Sequence, residues 1–248
     1  MRFAWLLALY VLSSACGDAG PATSVTSAVS SVDPAATATI TGKVLVEGAL
    51  PADQVVRLDG DAKCVALVGN DRRALGAIVP GDEGTLQNVF VYVKDTLSGA
   101  QFPVPTGPVP IEQQKCEYVP RVLGLRVGQA LAIRNGDPLM HNIRSEAAIN
   151  QPFDMSQPVA GVTTERRFAT REVMVPLKCN VHAWMRAYIG VLEHPFFAVT
   201  GQAGTFSIAA LPPGTYTLEA WHETLGTQSV MVTVAAKDAR DVIFTFRP

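Results

Sequence analysis

One short run concentrates the side chains best suited to bind something: Val173-Met174-Val175-Pro176-Leu177-Lys178-Cys179-Asn180-Val181-His182-Ala183-Trp184-Met185. Its centre is Cys-x2-His-x2-Met, which places a soft thiolate, an imidazole and a thioether on one tight loop. Two imidazoles and a thiolate in a plane, with a long axial thioether, form the ligand set of a copper electron-transfer site. This loop lacks one imidazole. The chain has four histidines, so the search for the second is short. His141 follows Asn135-Gly136-Asp137-Pro138-Leu139-Met140, directly after a predicted strand. His194 and His222 lie downstream, beyond the strand that leaves the ligand loop. A rigid site benefits from gripping one ligand on a separate strand, which favours His141. Zinc is the rival metal, but it calls for a further Cys or His pair, and a thioether serves it poorly. A chance CxxH around an inert buried thiol is the remaining alternative. Met140 reads as a packing residue, His222 as an edge or interface residue, and His194, beside Pro195, as part of a linker.

Holding such ligands requires a stiff scaffold, and from Ile40 onward the punctuation is that of an all-β protein. Short β-branched and aromatic runs recur between Gly, Pro, Asn and Asp turns. The predicted strands are Ile40–Val46, Asn88–Val93, Val122–Val127, Ala130–Arg134, Glu172–Leu177, Ala187–Leu192, Thr205–Ala209, Thr215–Ala220, Gln228–Val234 and Asp241–Phe246. In Thr215–Ala220, Tyr216, Leu218 and Ala220 share one face, as a strand with one wet side requires. No segment carries an apolar stripe of helical length. Pro51–Gly84 is the least patterned stretch, with Leu75–Val79 as a possible strand. The composition agrees: 48% hydrophobic, 17% charged, Gly 20 and Pro 17. A net charge of −2 argues against non-specific nucleic-acid binding, which needs clustered excess Lys and Arg.

The stretch from Val109 to Glu193 resembles a complete small cupredoxin of the plastocyanin, amicyanin and pseudoazurin kind. Leu125-Arg126-Val127-Gly128-Gln129-Ala130-Leu131 is similar to that family's strand pair "v-x-V-G-x-x-l", with Leu125 in place of the usual Val. Asn135-x-Asp137 then leads to His141-Asn142, and Cys-x2-His-x2-Met is the short amicyanin-type loop. The resemblance implies a Greek-key β-sandwich with one type 1 copper. His141, Cys179 and His182 would be its equatorial ligands and Met185 the axial one. It also implies that Asn142 braces the two ligand loops and hydrogen-bonds toward the thiolate. Asn180 stands where Ser or Thr is common, and Ala183 where Pro is frequent; both departures bear on loop rigidity, not on the ligands. His182, beside Trp184, is expected to form the exposed edge through which electrons pass.

A second resemblance lies downstream. Thr200-Gly201-Gln202-Ala203-Gly204-Thr205-Phe206-Ser207-Ile208 and Leu211-Pro212-Pro213-Gly214-Thr215-Tyr216-Thr217-Leu218 are similar to the carboxypeptidase-regulatory, transthyretin-like sandwich. The opening "G-x-V" strand of such a module is missing just upstream but present at Gly42-Lys43-Val44. The expected organisation is therefore a cupredoxin at 109–193 inserted into a discontinuous sandwich at 38–108 and 194–248.

At the N-terminus Arg2, the apolar Phe3–Leu12 and Ser13-Ser14-Ala15-Cys16 resemble a bacterial lipoprotein signal, with Ser13 where Leu is usual. The apolar run is too short to span a bilayer, which takes about 20 residues. Residues 1–16 thus read as the signal, Cys16 as the lipidated residue and 17–37, rich in Ala, Ser and Thr, as a tether. With lipid and copper each taking one cysteine, Cys64 and Cys116 are left as a disulfide pair in an oxidising compartment, two free thiols being the alternative.

The expected protein lies in the periplasm or at the cell surface, anchored by lipid. It exchanges single electrons with a redox protein, a cytochrome or oxidoreductase. No Ser/His/Asp or paired-carboxylate set stands out and every ligand position is filled, so neither catalysis nor a small-molecule substrate is expected. The rival readings are copper delivery or storage, and a surface interaction module with an accessory copper site.

Overall fold

The computed structural model describes residues 36–94, 97 and 100–248. The signal at 1–16, with Cys16, and all but the last two residues of the 17–37 tether lie outside the described residues. Early in the chain come β1 (Ala38–Val46), β2 (Val55–Arg57), α1 (Ala62–Val68), β3 (Arg72–Ala74) and β4 (Phe90–Val93). The middle holds β5 (Val109–Gln114), β6 (Glu117–Val119), β7 (Val122–Arg126), β8 (Ala130–Asn135), β9 (His141–Ser145), β10 (Asp154–Gln157), β11 (Thr163–Arg167), β12 (Glu172–Lys178) and β13 (Arg186–Leu192). The last part adds β14 (Phe197–Val199), β15 (Thr205–Leu211), β16 (Gly214–His222), β17 (Gly226–Val234) and β18 (Ala239–Phe246). Among the described residues the protein is nearly all-β, the exceptions including α1 and a 3-10 turn at Asp82–Gly84. Leu75–Val79 is not a strand; the pairing there is β2 with β3, just before it.

β5 to β13 build one sandwich, with sheets ordered β10-β9-β12-β13-β7 and β11-β8-β5-β6. Alternate residues such as Ile111, Leu125, Leu131, Ile133, Ile143, Val175, Leu177, Ile189 and Val191 fill the space between them. The second pair of sheets, β15-β1-β18 and β14-β4-β16-β17, draws strands from both sides of that middle stretch. β1 pairs with β15 and β18, and β4 with β14 and β16. Its core includes Ile40, Val44, Val91, Val93, Phe206, Ile208, Leu218, Ala220, Phe244 and Phe246.

β4 is buried on both faces. Val91 and Val93 point into the second core, while Phe90 and Tyr92 join Val122 and Leu192 in a third cluster between the two sandwiches. Glycines in β7 and β13 make room there. A Cβ on Gly190 would lie 2.2 Å from the Phe90 ring, and one on Gly124 would lie 2.4 Å from Phe197. A partly buried ion pair adds orientation: the Arg121 guanidinium donates to both carboxylate oxygens of Glu223 and to the carbonyl of Leu75.

Glu172, at the start of β12, anchors the loop after β9. Its carboxylate accepts from the backbone N–H of Ala148, Ile149 and Asn150 and from the Asn150 amide. Burial alone would raise its pKa, but these donors hold it below the usual carboxylate range. Glu172→Gln turns an amide donor toward backbone donors. It is expected to cost about 1.5–3 kcal/mol, read as a lower urea midpoint with an unchanged m-value.

Candidate metal centre

Each candidate ligand reaches the site by a locally explicable route. Asn135, fully buried at the end of β8, shapes the turn before β9. Its side-chain oxygen accepts from Asp137 N–H (2.9 Å), and its amide donates to the carbonyls of Leu139 (2.9 Å) and Gln157 (3.0 Å). That turn delivers His141 as the first residue of β9. On the other side, Cys179 follows β12 and Met185 precedes β13. The loop closes on itself through Cys179 N–H to Met185 O (3.3 Å) and Met185 N–H to His182 O (2.9 Å). Backbone N–H of His182 also points at Cys179 Sγ (3.3 Å).

The three nitrogen and sulfur donors meet. His141 Nδ1 lies 3.0 Å from His182 Nδ1, which is 3.7 Å from Cys179 Sγ. All three side chains are buried, as is Met185 at the end of the same loop. The outer nitrogens are both engaged by carboxylates: His141 Nε2 lies 2.8 Å from Asp137 Oδ2, and His182 Nε2 lies 3.2 Å from Asp61 Oδ2. An ionised carboxylate only accepts, so each ring carries its proton on Nε2. Two Nδ1 lone pairs and a sulfur then face one another across a buried gap, an arrangement that calls for a cation. Two nitrogens about 2 Å from one metal ion would lie close to the observed separation. The set of two imidazoles, a thiolate and a thioether matches copper in softness.

Burial pushes the Cys179 thiol up. The adjacent imidazoles of His141 and His182 and the N–H groups of Asn142 and His182 outweigh it and hold the thiol at about 6. For His182 burial disfavours the charged ring, but Cys179 and Asp61 together raise its pKa above the ordinary value.

Asn142 sits between the two ligand segments. Its Oδ1 accepts from Asn180 N–H (3.2 Å), and its Nδ2 donates to Asp154 Oδ1 (2.6 Å). Asp154 also accepts from the Asn180 amide (2.8 Å). Tyr118 donates to the Asn142 carbonyl (2.5 Å). Sequence reasoning missed Asp61, Asp154 and Tyr118 altogether, and placed Asp137 in the run leading to His141 without giving it a role at the site.

Several expectations are corrected here. His182 is not an exposed edge: it is 1% exposed, because Asp61 covers its outer nitrogen. Trp184 is half-buried, with its ring 5.1 Å from that of His182 and its indole N–H donating to Cys116 O (3.0 Å). Met140 does not pack, standing 47% exposed on the turn. His194 is buried against Phe196, not part of an open linker. His222 is also buried.

The covering segment is α1, which the sequence pattern does not announce. Asp61 caps it, its Oδ1 accepting from Lys63 N–H (2.8 Å) and Cys64 N–H (3.3 Å), and Gly69 ends it at φ 76°. A disulfide joins Cys64 in this helix to Cys116 in the β5–β6 turn, Cα to Cα 5.9 Å. That turn holds Lys115 and Cys116 at positive φ, 51° and 57°. Asp137 stabilises it by accepting both of their N–H groups, at 2.7 and 2.8 Å.

No family model matches the sequence, and no curated protein is significantly similar to it. Solved structures that resemble parts of it include a copper-containing nitrite reductase from Thermus scotoductus SA-01, at 20% identity and TM-score 0.33, covering 41% of this chain and 25% of that one. The oxidized state of an amicyanin mutant shows 20% identity and TM-score 0.31 over 34% of this chain and 82% of the other. A purple cupredoxin from Nitrosopumilus maritimus shows 20% identity and TM-score 0.29 over 34% and 98%. The chain therefore spans a quarter of the length of the reductase.

Proposed function

We propose that this chain binds one copper ion, which His141 Nδ1, His182 Nδ1 and Cys179 Sγ would hold with Met185 as a further donor, and exchanges single electrons with a redox protein. The observation that carries the reading is the convergence of two Nδ1 atoms on a buried thiol while carboxylates claim both outer nitrogens. Bound copper supplies a one-electron couple. The chain's own residues hold the donors in place before and after each transfer, keep water out and set the charge around the thiolate. Burial of every ligand favours retention of the metal over its delivery. It also leaves no open position for a substrate, so the reading includes no catalysis.

The same reading places the protein outside the cytoplasm, held to a membrane through Cys16, with strands β1, β4 and β14 to β18 as a transthyretin-like module around the copper domain. Among the described residues no helix is long and apolar enough to cross a membrane.

The test is to load the purified chain with Cu(II) and record visible and EPR spectra beside Cys179→Ser. An intense thiolate-to-copper band with narrow copper hyperfine splitting is expected for the wild type, and loss of the band for the variant. A colourless wild type with the spectrum of the variant would overturn the assignment.

A further inference from the structure

Each half of the Cys64–Cys116 disulfide is tied to the carboxylate that grips one of the candidate ligand imidazoles. Cys64 N–H donates to Asp61 Oδ1, and Asp61 Oδ2 takes His182 Nε2. Cys116 N–H donates to Asp137 Oδ2, which takes His141 Nε2. The sulfurs themselves lie against the site: Cys64, Cys116 and His182 place ligand atoms within 4.8 Å of one another, as do Cys116, Asp137 and His141. Trp184, packed on His182, donates to the carbonyl of the same Cys116. All of these partners except Asp61 and Trp184 are buried outright.

We propose that Asp61 and Asp137 are positioning residues for the two histidines, and that the disulfide locks the Asp61 arm in place, fixing the His182 ring and closing its outer edge. The inference rests on the reading of these histidines as ligands. A carboxylate on Nε2 fixes the tautomer, orients the ring and leaves Nδ1 free to bind. The two carboxylates are not equivalent. Asp137 belongs to the sandwich that bears the ligands and accepts two strand-turn N–H groups, so its position follows from that fold. Asp61 comes from the segment between β2 and α1, 121 residues before His182. Its own position depends on the short helix it caps and on the covalent link from Cys64 to Cys116. Cutting the disulfide thus releases the Asp61 arm while leaving the Asp137 arm in place, and the effect should fall on His182 alone.

The test uses the full chain without metal, so that its failure is separate from failure of copper binding. Histidine-15N NMR should show both rings as the Nε2–H tautomer, and diethyl pyrocarbonate should modify His182 slowly. Asp61→Ala, and separately the double variant Cys64→Ala with Cys116→Ala, should raise the His182 modification rate at least tenfold and give it mixed tautomers, with His141 unchanged. Asp61→Asn can keep the helix cap but turns an amide donor toward His182 Nε2, so it should preserve the fold while still giving His182 mixed tautomers and faster modification. Reduction of the wild-type disulfide by a dithiol should act like the double variant, which serves as a check where a substitution impairs folding. In the copper-loaded chain, the same changes should speed loss of Cu(I) to a chelator by a similar factor. Variants that lower thermal stability while leaving the His182 tautomer and modification rate at wild-type values would overturn the proposal, as would equal effects on His141 and His182.

Discussion

Lowering the pH of the metal-free protein from 7 to 4 should remove about 6 kcal/mol of stability through two histidines outside the candidate site. Burial first, then the positive charges of Arg171 and Arg126, pushes His194 down to about 4. Burial likewise pushes His222 down to about 4, with Arg121 adding to the effect and Glu223 opposing it. Both rings are held neutral, with Nδ1 accepting: His194 from Phe196 N–H (3.3 Å), His222 from Thr224 and Leu225 N–H (3.2 Å each). In the unfolded chain each would titrate near 6.5. Between 6.5 and 4 the unfolded state binds more protons, so stability is fully present above about 6.5 and falls as the pH drops toward 4. A shift of this size is worth about 3 kcal/mol per ring. Carboxylates with lowered values, such as Glu172 and Glu219, begin to add loss at the acid end of this window, as the pH falls through their unfolded value near 4.5. Urea unfolding at pH 7, 5.5 and 4 should show the decline, and His222→Gln should flatten it by about half. Equal stability at pH 7 and pH 4 would rule out the account.

Phe90→Ala is the second large effect expected. The ring is fully buried between the sandwiches, 5.6 Å from Phe197 and 5.4 Å from Tyr92, and it lies on the bare backbone of Gly190. Nothing else can fill the hollow, because the glycines that create it have no side chains to move. Truncation should cost about 3–5 kcal/mol. The complementary change, Gly190→Ala, drives a methyl group into the ring, at about 1–3 kcal/mol. Combining them should be less costly than the sum, since the small side chain at 90 leaves room for the methyl at 190. The four stabilities can be compared by chemical denaturation. Strict additivity would mean that ring and glycine do not share the contact.

The ligand loop was legible because its chemistry is local: Cys179, His182 and Met185 lie within one turn, and His141 is one of only four histidines. The strands with clean alternation were legible for the same reason, their period being visible in a few residues. The sequence reading did not find what arrives from far away. Asp61 belongs to the least patterned stretch of the chain, and α1 is too short at Ala62–Val68 to display a helical stripe. Its existence depends on a cap and a disulfide instead. β5 and β6 went unrecognised because Pro110 and the polar Glu112-Gln113-Gln114 mask their alternation, although the buried faces of Ile111 and Gln113 follow it. The burial of His182 could not be read from its own loop, since the covering residue lies elsewhere in sequence.

The placement of β1 sets the order in which the molecule can be completed. This strand lies between β15 and β18, and its parallel register with β18 joins residues 200 apart, as at Thr41 and Asp241. A chain made from its N-terminus produces β1 early and its neighbours last. The residues from β5 to β13, in contrast, find every sheet partner within their own stretch. Such long-range closure is slow, because the entropy of a long loop is lost before its contacts form. The β5–β13 sandwich can therefore mature while β1 still waits with both edges open, exposed to pairing with other chains. Crowded production should favour association through that strand over loss of the β5–β13 sandwich itself.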